Sequence, residues 1–156
     1  MKQLIFSFLF LVLFSTISFA AGDPRLDLSV KSKVMDKTKP GQAKVTLELK
    51  NMTGDTLTFL TWSCDPIRSM LYIDEEDVSM AGAGCTKNFP MLLKLLPHLG
   101  YTETIVVKSS RTDGAFSPFK IKMTVTEPKE KYKADIAKKE ADKKKFALAT
   151  EMIDIK

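Results

Sequence analysis

The residues able to do chemistry in this chain are few and far apart. Its one histidine, His98, stands between Pro97 and Leu99-Gly100. Histidine-based nucleophilic catalysis needs a partnered nucleophile and an orienting acid. Nothing near in sequence supplies them, so His98 reads as a turn residue. A blue-copper centre takes two histidines, one cysteine and usually an axial methionine, which one histidine cannot provide. A softer Cu(I) site would draw on Met52, Met70, Met80 and Met91. These lack M-x-M or H-x-M spacing and read as packing residues. Asp74-Glu75-Glu76-Asp77 offers oxygen ligands for Ca²⁺ but lacks the glycine and alternating spacing of a calcium loop. It reads as a solvated hairpin tip. Asn51-Met52-Thr53 matches the glycosylation tripeptide, and Asn51 reads as a turn residue. No catalytic, cofactor-binding or metal residue is assigned, no cofactor is expected, and the chain is read as non-enzymatic.

The compartment decides how the two cysteines are read. Lys2, an apolar stretch from Leu4 to Phe14, and Ser18-Phe19-Ala20 form the three parts of a secretory signal, with cleavage expected after Ala20. The stretch is too short for the ~20 residues that span a bilayer, and no other segment is apolar enough to do so. The expected destination is secreted or periplasmic. In that setting Cys64 and Cys85 are expected to form one disulfide. Closing the loop of 20 residues between them restrains the unfolded chain by ~3 kcal/mol in the entropy model.

Charge is uneven. Removing residues 1–20 leaves 23 basic residues (24 less Lys2) against 19 acidic. The surplus of four is concentrated in 128–145. There Lys129, Lys131, Lys133, Lys138, Lys139, Lys143, Lys144 and Lys145 face only Glu130, Asp135, Glu140 and Asp142. With the remainder near neutral, no domain-wide basic face exists for nucleic acid. The eight lysines are a candidate interaction surface for an acidic partner, an anionic lipid or a wall polymer.

Strand patterning dominates the rest. Alternation is expected to give strands at 25–34, 43–50, 56–62, 70–73, 91–96 and 102–108, the last through Thr104 and Val106. It is cleanest in Phe119, Ile121, Met123 and Val125. Turns fall at 39–42, 51–55 and 111–114, and 79–85 reads as loop. The lysine segment reads as a solvated helix or as disorder, inserted before a last strand at 146–155. Seven or eight short strands with one disulfide predict an antiparallel β-sandwich of immunoglobulin-like type for residues 21–156, a single domain. Its core is expected from Val45, Leu47, Leu49, Phe59, Phe119, Ile121, Met123 and Val125, with Trp62 near one end.

Three patterns resemble a family of small, secreted, poorly characterised bacterial immunoglobulin-like β-sandwich proteins. They are Leu49-Lys50-Asn51-Met52-Thr53-Gly54-Asp55-Thr56-Leu57, then Thr61-Trp62-Ser63-Cys64, then Cys85-Thr86-Lys87-Asn88-Phe89-Pro90 with Leu95-Leu96-Pro97. The resemblance implies the fold and an envelope or extracellular location, and carries no activity. The strand–turn–strand unit around Asn51–Phe59 more weakly resembles the bacterial intracellular proteinase-inhibitor β-sandwich. The expected function is a binding or accessory module with an unknown protein or envelope component as partner. Proteinase inhibition and metal handling are the alternatives. The first candidate surface is the region Ser63–Pro90, and the lysine segment is the second.

Overall fold

The computed structural model describes residues 24–82, 89–128 and 143–155. The expected signal segment, Cys85 and most of the lysine segment lie outside them. Nine strands stand among the described residues: β1 (Leu26–Met35), β2 (Gln42–Asn51), β3 (Leu57–Trp62), β4 (Leu71–Ile73), β5 (Val78–Met80), β6 (Pro90–Leu95), β7 (Gly100–Ser109), β8 (Ile121–Pro128) and β9 (Lys143–Ala149). They form two antiparallel sheets packed face to face, an all-β sandwich. The first sheet runs β1-β2-β7-β5, and the second holds β4, β8, β3 and β6, with β9 on β8.

Pleat parity explains the core. Side chains alternate faces along a strand, so Ala43, Val45, Leu47 and Leu49 of β2 all point inward and are buried. Phe59 of β3 and Ile121, Met123 and Val125 of β8 meet them from the other sheet. Phe119, just before β8, is wholly buried and pairs through its backbone with Ile153. All eight aliphatic and aromatic residues named above as core are buried.

Several expectations are corrected. On β7 it is Ile105 and Val107 that are buried, while Thr104 and Val106 face outward. Both faces of that strand carry β-branched residues, and a shift of one residue exchanges them. The Asp74–Asp77 run is no hairpin tip, because β4 and β5 lie in different sheets and the run crosses between them. It is tied down at both ends, by Lys122 on Asp74 and by the Ser117 hydroxyl donating to Asp77 at 2.6 Å. Residues 79–80 belong to β5 rather than to a loop. The charged insertion is also shorter than expected. Lys143, Lys144 and Lys145 belong to β9, where they pair with Pro128, Glu127 and Thr126. The last strand ends at Ala149, and only Ile153 bridges beyond it.

Inward parity leaves one carboxylate partly buried on the inner face of β7. Glu103 shares its face of β7 with Ile105 and Val107. Burial raises its pKa, and the nearby charge of Asp65 adds to this, while Arg68 partly offsets it. A carboxyl raised in the native state lowers stability as pH climbs from its unfolded value through its folded one. Glu103→Gln should therefore equal or exceed the wild type in urea midpoint at pH 7. The difference should disappear near pH 4, and a midpoint lower than wild type only at pH 7 would contradict it.

Candidate functional site

The second sheet contains an interruption that builds a cleft. A strand has two edges, and β9 pairs with one edge of β8 from Lys122 to Pro128. Both β3 and β4 must share the other. Leu60 of β3 stands opposite Thr126, and Leu71 of β4 opposite Met123. Three steps along β8 thus face eleven along the partner line, so eight residues, Ser63–Met70, are extruded from one strand line.

The extruded segment is held from within. The N–H of Ser69 donates to the carbonyl of Asp65 at 3.0 Å, leading into one turn of 3-10 helix at Arg68–Met70. The buried hydroxyl of Thr61 donates to the carbonyl of Pro66 and lies 3.0 Å from the Ser69 hydroxyl. Ile67 and Met70 plug into the core. The N–H of Ser63 donates to the Phe89 carbonyl at 2.9 Å, which fastens the segment to the start of β6.

Outward from this line the sheet is unexpectedly apolar. An antiparallel sheet with one wet face should alternate hydrophobic in and polar out. Here Leu92, Leu60, Thr126 and Lys145 form one cross-strand row, and Pro90 and Trp62 begin the next. Tyr72 follows on the β4 part of the line, opposite Lys122. In this register Trp62 and Tyr72 sit two positions apart, about 7 Å along the strand direction. Trp62 is 46% exposed and Tyr72 37%. With Leu60, Thr61, Ser69, Met70, Leu71, Pro90, Thr124, Thr126 and Lys145 they line a cleft of about 500 Å³, within the ~300–1,000 Å³ of ordinary ligand sites.

The outer face of the first sheet is different. Lys44, Thr46, Glu48 and Lys50 point out from β2. Thr46 and Thr104 meet through their hydroxyls at 3.0 Å, and Lys31 pairs with Glu48 at 2.6 Å. The aromatic Trp62–Tyr72 surface therefore belongs to the second sheet, while exposed apolar residues such as Val34 and Leu99 are scattered elsewhere.

The sequence-predicted residues divide accordingly. Of the eight candidate lysines, Lys145 lines the cleft. Lys143 and Lys144 enter as strand residues, and Lys129, Lys131, Lys133, Lys138 and Lys139 lie outside the described residues. Cys64 sits in the extruded segment. Among the described residues no cysteine is free, and Cys85 lies outside them. From the region Ser63–Pro90, Ser69, Met70, Leu71, Tyr72 and Pro90 reach the cleft. Leu60, Thr61, Trp62, Thr124 and Thr126 lie outside both expected surfaces. Trp62 was expected at the end of the core and instead faces outward. Its odd spacing from Phe59 is the signal, since residues three apart on a strand lie on opposite faces.

His98 occupies the β6–β7 turn with φ +57°, exposed and away from the cleft lining. Asn51 is wholly buried in the β2–β3 turn, so its amide is not open to modification in the native fold. Among the described residues no three His, Cys, Asp or Glu side chains converge as metal ligands, and no helix is long and apolar enough to cross a membrane.

The fold and cleft define an all-β sandwich with an aromatic surface on one sheet. No protein-family model, curated protein or solved structure matches the chain.

Proposed function

We propose that this chain is a secreted or periplasmic, non-enzymatic binding module that meets its partner through the Trp62–Tyr72 cleft. The observation that carries the reading is the run of outward apolar side chains, Leu60, Trp62, Tyr72, Pro90 and Leu92, on a face where pleat parity calls for polar ones. Exposed Trp and Tyr are the residue types that carry most binding energy in recognition surfaces. The N-terminal signal pattern supports an envelope or extracellular setting. The resemblance to small secreted immunoglobulin-like proteins agrees with it.

Co-sedimentation with insoluble bacterial envelope material tests the reading. The mature protein should be retained saturably. Trp62→Ala and Tyr72→Ala should each weaken retention at least ~10-fold with circular dichroism and melting unchanged. Equal retention of folded variants would remove the cleft from the function.

The same reading includes a Cys64–Cys85 disulfide. Mass spectrometry of secreted protein without reductant should give a mass about 2 Da below that of the dithiol, the two hydrogens lost on forming the bond. Two alkylatable thiols would exclude it.

A further inference from the structure

We infer that the ligand of the cleft is an acidic oligosaccharide, an assignment that rests on the cleft being the binding surface. Three features of the lining select this chemistry. The first is the aromatic pair. Trp62 and Tyr72 are half-exposed on one strand line about 7 Å apart, which offers apolar rings to the flat faces of successive sugar units.

The second is the floor. At the middle of this floor β8 lies between β9 on one side and the β3–β4 line on the other, so its main-chain groups are committed to the sheet. An extended peptide draws much of its affinity from main-chain hydrogen bonds at a strand edge, and this floor presents a face, not an edge. What it offers are the hydroxyls of Thr124 and Thr126, which can donate to and accept from sugar hydroxyls, while the Ser69 hydroxyl donates to the Pro66 carbonyl.

The third is charge. Among the described residues Lys145 is the one charged residue of the lining, and no carboxylate stands with it. Lys122, the next outward residue on β8, is already held by Asp74. Lys143 and Lys144 precede Lys145 directly in the chain. A carboxylate-bearing sugar would place its charge at the Lys145 end and its ring faces on the aromatics.

Trp62 is the only tryptophan in the chain, so its emission reports this cleft and nothing else. The full mature protein is titrated with an oligogalacturonate, a neutral malto-oligosaccharide of the same length, and polyglutamate. The acidic sugar should give a saturable shift, weakened by salt. The neutral sugar should bind at least ~10-fold more weakly, and Lys145→Gln should abolish that preference. Equal response to both sugars would overturn the acidic part of the assignment. A response to polyglutamate alone would overturn the sugar. An emission that changes with protein concentration would name a second copy as occupant. A change on deleting residues 129–142 without ligand would name the chain's own segment. If envelope retention still depends on Trp62 while no sugar moves its emission, the ligand class fails and the cleft stands. If retention is also indifferent to Trp62, both fail.

Discussion

Replacing Asn51 with aspartate is expected to destabilise the native state by about 4 kcal/mol, near the top of the range for a single substitution. Asn51 is wholly buried where β2 turns into β3. Its amide nitrogen donates to the carbonyls of Asp55, Leu95 and Leu96 at 2.7, 3.0 and 3.1 Å. Its carbonyl accepts from the N–H and hydroxyl of Thr53 at 2.9 and 2.8 Å. One side chain thus closes the β2–β3 turn and ties it to the end of β6. An aspartate there sets an acceptor against three acceptors and adds a charge with poor solvation. Because protonation would relieve the repulsion, the loss should shrink as pH falls. Asn51→Ala removes the bonds without adding charge and should cost about 2–3 kcal/mol. Urea denaturation at pH 5 and 7 measures both. A loss below about 1 kcal/mol for the aspartate would mean that Asn51 does not hold this junction.

Phe119→Ala should cost about 4 kcal/mol, through lost transfer energy and the cavity left behind. The side chain is fully buried, and its ring centroid lies 6.2 Å from that of Phe116. Its backbone exchanges two bonds with Ile153, at 3.1 and 2.7 Å. The chain after β9 is therefore held to the core at Phe119, where Ile153 and Ile155 are buried. Hydrogen exchange in the Phe119 variant should accelerate first at Ile153. Val106→Ala, on the outward face of β7, should stay within about 0.5 kcal/mol. Comparable losses at the two positions would contradict the assignment of faces.

How much of this was readable in advance varies by element. The inward faces of β2 and β8 were legible because apolar residues there occupy one parity only. β7 was not, since Ile105, Val106 and Val107 are contiguous and parity alone cannot choose between faces. Trp62 was misplaced because its size argues for burial while its spacing from Phe59 argues against it, and spacing prevailed. β5 is three residues long and shows no alternation to read. Lys143–Lys145 carry helix-forming composition, yet pairing with Glu127 and its neighbours draws them into a strand, as tertiary context commonly does. The cleft itself was largely hidden. It depends on Leu60 and Leu71 meeting the same edge of β8, a long-range pairing that leaves no local trace.

That shared edge has a practical meaning for how this protein can vary. The two stumps are held by pairing outside the segment, Leu60 and Leu71 on β8 and Trp62 on Pro90 of β6. Loop length adds little to the closure entropy, about 0.6 kcal/mol for each doubling. The extruded segment can vary in length while the register on both sides is kept, provided Ile67 and Met70 retain their places in the core. The sandwich is in this sense a display scaffold, with a core-anchored loop of tolerant length mounted beside an aromatic platform. Selectivity for new ligands could be engineered there without redesigning the core.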